Sequence, residues 1–392
     1  MISPFLPYDG IDHGGGRYLE ALHRVLADRA DVVFIVPTHR AGDRQRPGSP
    51  QRVLLRGEGG RGGHALALRV LNRVWGLLRI VDANTPDLAL LVDIIMDPTT
   101  RTLVAGADVV DLHFQDFARM ARFLRPLNRR AEFVLTLYDV TSQRFERIAA
   151  SSSKVPRIVR YRLMAALARS AEKRAVRSRG TVVVFSQKDA DLMDTAASIR
   201  VIDLPMVGDV LPHGPTPGLR TVVFVGALAR PENDDAIRWC IDQVWPSVVE
   251  RLPDARLKVI GRGASQPLID LVEGRSDVVL EGYVDDLALE YSRAWVCVVP
   301  LRLGAGVKVK TIEAMVAGLP VVTTSIGAEG IEGPHLFAGL SDNPSVLAQR
   351  LTWVLENPEQ AYVEARRTQE WALERYGRAR FEQAVAEIYL SS

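Results

Sequence analysis

The sequence predicts an α/β protein made of two doubly wound, parallel-sheet domains, and three observations carry that expectation. The chain has 392 residues, more than one ordinary hydrophobic core accommodates and enough for two. Both halves alternate short β-branched runs with longer amphipathic stretches, the pattern of strands joined by crossover helices. Between the halves, LPMVGDVLPHGPTPGL (Leu204 to Leu219) holds four prolines and three glycines in sixteen residues, which interrupts regular structure. The expected organisation is a first domain over 1–204, a linker over 205–219, a second domain over 220–372, and a C-terminal helix over 373–392 that packs back on the first domain.

In the first half the expected strands are VVFIVP (Val32 to Pro37), LALLVDI, VVDLHF, FVLTLYD and TVVVFS (Thr181 to Ser186). Apolar residues recur at helical spacing over Arg17 to Arg29 and over IVRYRLMAALARSAEKRAVRSR, so both segments are expected helices. Arg40 to Gly63 is rich in Gly and Arg and reads as a mobile loop. The second half brings TVVFVG (Thr221 to Gly226), a helix around AIRWCIDQVWPSVVERL, then RLKVIG, DVVLEG, WVCVVP and PVVTT. After Pro358 the pattern is one or two helices, with no further strand.

Composition narrows the class. The chain is 47% hydrophobic and 24% charged, inside the range of folded proteins. Its two cysteines, Cys240 and Cys297, lie in apolar stretches and cannot form a disulfide framework or a Cys-rich metal site. No basic start precedes an apolar run at the N-terminus, and no segment reaches the ~18 apolar residues of a membrane span. The expected location is the cytoplasm.

Charge is uneven. Through Val210 there are 31 Lys and Arg against 23 Asp and Glu, and beyond it 18 against 24, so the halves differ in sign. A basic first half attracts an anionic substrate or the inner face of a membrane; an arginine-rich solvated surface accounts for it equally well. Nucleic acid is not expected as a partner, because the arginines are scattered and lack interleaved aromatics.

The most informative stretch is WVCVVPLRLGAGVKVKTIEAMVAGLPVVTT, Trp295 to Thr324: a strand, a Gly-rich turn, a helix carrying Lys310 and Glu313, and another strand. A Gly-rich turn opening a helix presents unpaired N–H groups and the positive end of the helix dipole, which suits an anion. Gly304 and Gly306 let backbone approach a ligand closely. Lys308 and Lys310 add charge for phosphate oxygens, and Glu313 lies on the same helix face as Lys310. The competing account is that both lysines are solvated and Glu313 merely pairs with one of them.

IEAMVAGLPVVTT (Ile312 to Thr324) resembles the retaining glycosyltransferase group-one family, whose C-terminal domains carry E-x7-E followed by EAM-x-x-G-x-PVV. The resemblance covers Thr221 to about Glu356 and, more weakly, the first half. It implies the GT-B architecture, two Rossmann-like doubly wound domains facing across a cleft. It also implies transfer of a sugar from a nucleotide-diphosphate sugar with retained anomeric configuration, and places Glu313 on the nucleotide ribose.

The chain departs from the family at several points. The first Glu of E-x7-E falls at Ala305, so sugar contacts pass to the backbone of Gly304, Ala305, Gly306 and Val307, as in the subset with G-x-G-x-[RK]-x-K-x-x-E. Ala227 and Glu232 replace the Arg and Lys that many members carry after the first strand of the second domain, where the turn begins at Gly226. Lys308 and Lys310 then become the diphosphate candidates, with Arg230 as a further one or as a plain surface arginine. The turns Ile260 to Gly263 and Glu281 to Val284 end strands, and the second lines the base in the family; Tyr283 either packs there or covers the sheet edge.

On the N-terminal side, Tyr8 to Gly16 opens a helix, and by resemblance Gly14, Gly15 and Gly16 touch the donor phosphates or the acceptor. His13 reads as a turn residue. Tyr138 stands where many relatives have His, next to Asp139, which can orient the acceptor or cap a helix; His113 and Asp116 follow VVDLHF in a similar place. No Asp-x-Asp metal motif of the GT-A type is read near a strand end, so neither a metal nor another cofactor is expected. The acceptor is unspecified. The rival readings are a non-catalytic GT-B protein that binds a nucleotide sugar or a partner, and a GT-B epimerase or phosphorylase. A nicotinamide-dependent dehydrogenase is disfavoured, since no G-x-G-x-x-G follows the first strand.

Overall fold

Strands β1 (Phe34–Pro37) and β2 (Val53–Arg56) pair in parallel, as do β3 (Val109–His113), β4 (Glu132–Thr136), β5 (Thr181–Val184) and β6 (Ile199–Val201). A computed structural model describes the chain except residues 12, 58–69, 72, 79–84, 178–179, 194–197, 207–217 and 391–392. It divides into two units, Met1–Pro205 with Phe381–Ser392, and Met206–Arg380. Most of the expected linker, residues 207–217, lies outside the described residues. The chain re-enters the first unit at Phe381, just beyond Gly377, which separates the helices Pro358–Tyr376 and Arg378–Tyr389.

In the first unit Ile2 makes parallel bridges to Ile35 and to Leu112 and so sits between β1 and β3. With Ile2 counted as the first strand, the spatial order is third, second, first, fourth, fifth, sixth, seventh. In the second unit β7 (Thr221–Val225), β8 (Arg256–Ile260), β9 (Val278–Gly282), β10 (Val296–Val299), β11 (Val321–Thr323) and β12 (Gly339–Leu340) lie in the order β12-β11-β10-β7-β8-β9. Both orders reverse beside their first strand, the arrangement of Rossmann-type doubly wound sheets.

The second sheet is covered on both faces, as parallel sheets require. Val222, Phe224, Val296 and Val298 feed one core, while Val223, Cys297, Val299 and Val321 feed another. That two-residue alternation follows from the pleat. The first sheet buries Val110, Leu112, Phe133 and Leu135 in one core.

Three expectations need correction. LALLVDI is a helix, Leu88–Met96, not a strand: Asp87 caps it by accepting from Leu90 N at 2.9 Å. A short unbroken apolar run fits a buried helix as well as a strand, and the cap decides. Within the segment read as a mobile loop, Thr38–Gln45 forms a 3-10 helix and Val53–Arg56 is β2, while residues 58–63 lie outside the described residues. The helix around Trp239 is interrupted by a π-turn over Cys240–Val244 before Trp245–Arg251 resumes, with Trp245 N bonded to Cys240 O. Pro246, at the start of the resumed helix, has no N–H and crowds the preceding turn, which the wider π spacing relieves.

Candidate functional site

In the second unit the strand order reverses between β10 and β7, and the turns leaving these two strands meet at the resulting crevice. Ligands of open α/β sheets bind at such a switch point, outside the carboxyl ends of the strands. From β7 the chain passes Gly226 and enters the helix Pro231–Trp239; from β10 it passes the glycine turn and enters the helix Val309–Val316.

Lys310 joins the two sides. Its Nζ donates to Asn233 Oδ1 at 2.6 Å, and it stands 4.7 Å from the centroid of the Phe224 ring. Asn233 is fixed in turn, its Nδ2 donating to Ala227 O at 2.8 Å. A Cβ on Gly226 would come within 2.4 Å of Lys310 Nζ, so the missing side chain makes room for the amine. Lys310 as a residue keeps partial exposure, while its amine is densely surrounded by protein. Burial pushes its pKa down to about 8, the neighbouring Glu313 pulls it back, and Arg230 pushes it further down. Glu313 is half-buried one helical turn on, and Arg230 is exposed at the cap of the Pro231 helix.

Lys308 behaves differently from the expectation that it faces a diphosphate. Its Nζ donates to Ala305 O at 3.0 Å and to Gly306 O at 2.6 Å, and it meets Glu329 Oε2 at 3.2 Å. An ammonium has three donors, and these contacts engage all of them. Lys308 therefore clamps the turn from below while Gly304, at φ 126°, and Gly306, at φ 70°, supply conformations that L side chains rarely adopt. The turn is held from its flank as well, where Arg302 grips Asp235 through two hydrogen bonds of 3.1 and 2.7 Å.

Beside β8 and β9 the crest closes up. A Cβ on Gly261 would fall 1.8 Å from Gly226 O, so only glycine lets these two turns pack. Tyr283 is 55% exposed, and the Arg262 guanidinium lies 3.8 Å from its ring centroid. Asn233, Glu329 and Arg262 all escaped the sequence reading. The buried Asn in the first turn of its helix carried a faint signal, but nothing in the spacing linked it to Lys310.

The first unit has its own switch point, between Ile2 and β3. The helix expected from Arg17 starts at Gly14, with His13 as its cap: His13 Nδ1 accepts from Gly16 N at 3.0 Å. One of the N–H groups expected to meet an anion is thus already engaged. Gly15 packs where a Cβ would lie 3.0 Å from both the Phe114 and Tyr138 rings, which stack with centroids 3.8 Å apart. Phe114 holds φ 73°, a strained conformation for a bulky residue.

His113 is fully buried. Its Nδ1 lies 3.2 Å from Tyr138 OH, and its Nε2 lies 2.9 Å from Asp111 Oδ2, off the line of a good hydrogen bond. Tyr389 OH, from the last helix, donates to the same carboxylate oxygen at 2.9 Å. This corrects the expectation of a catalytic His113: without accessible surface, the imidazole organises a buried polar cluster. Asp139 is half-buried, accepting from Thr141 Oγ1 at 3.0 Å and Gln115 Nε2 at 3.1 Å, with Arg144 3.4 Å away.

Two Rossmann-type units in one chain, the second bearing an amine and a glycine turn at its switch point, define the GT-B class of fold. Residues 219–357, all within the second unit, match the family described as "Glycosyl transferases group 1". A Klebsiella pneumoniae protein, the "Uncharacterized 44.6 kDa protein in cps region", is 33% identical over 121 residues, 29% of this chain and 31% of that protein. The match thus spans less than a third of the relative's length. Sucrose-phosphate synthase from Thermosynechococcus elongatus superposes with a TM-score of 0.69 at 17% identity, over 96% of this chain and 93% of that one. HepE from Anabaena, solved in complex with UDP, superposes with a TM-score of 0.67 at 15% identity, over 99% of each chain. At such identities the likeness carries the fold alone. Among the described residues no helix is long and apolar enough to cross a membrane.

Proposed function

We propose that the protein is a glycosyltransferase that moves a sugar from a nucleoside-diphosphate sugar, bound at the switch point of the second unit, to a hydroxyl of an acceptor. The observation that carries this reading is the enclosed Lys310 amine beside Gly226, held on Asn233 and followed by Glu313. A glycine-lined crevice with an enclosed cation and a carboxylate a helical turn away suits a diphosphate joined to a ribose. Complexes of HepE with UDP and with UDP-glucose agree with that ligand class.

In this reading Glu313 accepts from the ribose hydroxyls, the backbone of Gly304 to Val307 meets the donor sugar, and Tyr283 lies near the base. Lys310 and Arg230 face the diphosphate. Gly14, Gly15 and Gly16 are the candidates of the first unit for phosphate or acceptor, and Asp139 its candidate for orienting the acceptor. Transfer retains configuration: the bond from the anomeric carbon to the diphosphate oxygen breaks, the bond to the acceptor oxygen forms on the same face, and the acceptor proton passes to the departing diphosphate. Lys310 and the helix start offset the charge that develops on it, and no metal is required.

Thermal-shift screening with UDP, GDP, dTDP and ADP identifies the nucleotide, since a ligand bound by the native state alone raises the melting temperature. Product analysis with the matching donors, by NMR of the anomeric proton and with or without a chelator, tests transfer, retention and metal independence separately. Ala305, which lacks the carboxylate of the E-x7-E pattern, favours one second reading, a nucleotide-sugar-binding protein without turnover. Binding without product across a broad donor and acceptor panel would establish it.

A further inference from the structure

The helices Thr141–Ala150 and Val155–Val176 form a hairpin in the first unit, and the second helix is apolar on two sides. Its inner stripe, Met164, Ala165 and Ala168, packs with Phe145. Its outer stripe, Val155, Val159 and Leu163 at helical spacing, is exposed by 69%, 62% and 51%. Three large aliphatic side chains in register on an outward face are not explained by the fold, and contiguous exposed apolar surface marks a contact site.

The charge around this stripe specifies the partner. From Arg147 to Ala171 there are six Lys and Arg and no Asp or Glu. Lys154, Arg157, Arg160 and Arg162 surround the apolar stripe and are exposed. Further along the same face the stripe turns from aliphatic to basic, where Arg169, Lys173, Arg174 and Arg177 line a groove with Ala166 and Ser170. Both acidic residues that flank the segment are engaged: Glu146 pairs with Arg169, leaving Lys173, Arg174 and Arg177 to carry the charge of the groove, and Glu172 is buried on Ser142. We infer that this hairpin face docks on an anionic lipid surface, with Val155, Val159 and Leu163 entering the interfacial layer and the arginines meeting the headgroup phosphates.

A shallow apolar ridge alone holds a membrane weakly, and screened surface charge alone does the same; this face sets an exposed aliphatic stripe among basic side chains and so combines the two. Arginine stems can lie along the apolar layer while their guanidinium groups reach phosphate. The inference is independent of the catalytic reading, because it concerns a different surface and needs no turnover.

The test is co-sedimentation of the full chain with phosphatidylcholine vesicles, with and without phosphatidylglycerol, at low and high salt. The expected result is binding to the anionic vesicles alone, released by salt. Val159→Gln with Leu163→Gln, and separately Arg157→Glu with Arg160→Glu, should each weaken binding by about tenfold or more. All four positions are exposed, so the melting temperature should not move, which separates lost docking from lost folding. Equal binding to uncharged vesicles, no binding, or unchanged binding by both variants would overturn the inference. So would a dimer in gel filtration that Val159→Gln with Leu163→Gln converts to monomer, since the face would then join two copies of the chain.

Discussion

The Lys310 amine donates to Asn233 Oδ1 at 2.6 Å across the switch point of the second sheet. This bond ties the helix after β10 to the helix after β7 and leaves an enclosed cation where two strand ends diverge. Burial pushes its pKa down to about 8 from 10.5. The unfolded chain therefore holds more protons between those values, and this group's contribution to stability rises with pH from about 8 to about 10.5. Below pH 8 the folded state carries the full cost of the enclosed charge, a cost that a bound diphosphate would relieve.

A pH dependence of binding follows. A diphosphate favours the protonated amine, so nucleotide affinity should be flat below pH 8 and fall above it, by at most about tenfold per pH unit. Isothermal titration between pH 6.5 and 9.5, compared at each pH with Lys310→Met, checks this: the variant should bind more weakly at pH 7 and lose the decline. A wild-type affinity that is level across the range would remove Lys310 from the diphosphate.

Lys308 and Lys310 should separate cleanly. Lys308→Met strips three acceptors of their donor and leaves the Glu329 carboxylate buried without its cation, a loss of roughly 3–5 kcal/mol. Denaturant unfolding should register that loss, and adding Glu329→Gln should restore part of it. Stability that hardly changes while nucleotide affinity collapses would return Lys308 to the ligand.

Gly226→Ala places a methyl 2.4 Å from Lys310 Nζ and 3.0 Å from Asn233 Nδ2. The amine can swing away, but only by leaving its hydrogen bond. Nucleotide affinity should weaken on the order of tenfold, equivalent to about 1.4 kcal/mol, with only a small shift in melting temperature. Unaltered affinity would show that the position of the amine is immaterial.

Glu313→Ala should cost nucleotide affinity and turnover together, because a ribose that loses its acceptor is misplaced as well as loosely held. A nucleotide dissociation constant equal to that of the parent chain would show that the carboxylate does not touch the ribose.

His113→Gln tests the opposite kind of claim. Its ring sits among Tyr138, Asp111 and Tyr18 without accessible surface, so replacement should destabilise the first unit by about 1–3 kcal/mol. Turnover of the remaining folded protein should stay within a few-fold. An inactive variant with an unchanged melting curve would reinstate His113 in the chemistry.

Much of the architecture was legible because parallel strands buried on both faces must be β-branched and crossovers must be amphipathic; VVDLHF, TVVVFS and TVVFVG show this directly. LALLVDI was not legible, because seven nearly unbroken apolar residues have no period to read, and the Asp87 cap alone settles them. β2 was hidden among arginines and glycines, since its partner β1 supplies half of what makes it a strand. In the candidate site, Lys310 and Glu313 were legible from their spacing on one helix. Glu329 and Asn233 were not, lying 21 residues beyond Lys308 and 77 before Lys310 respectively.

Local chemistry was enough to decide the alternation of strands and helices, the break after Leu204, and a glycine turn with two amines and a carboxylate ahead of PVVTT. All of these depend on neighbours a few residues apart, where dihedral preference and periodicity act. Only the tertiary structure decided which amine is which. Lys308 and Lys310 share charge and length and stand two residues apart at one helix start, and they differ because the chain folds carbonyl oxygens and Glu329 against one and opens Gly226 beside the other. The environment of a charge is built by residues distant in sequence, and that environment sets what the charge can do.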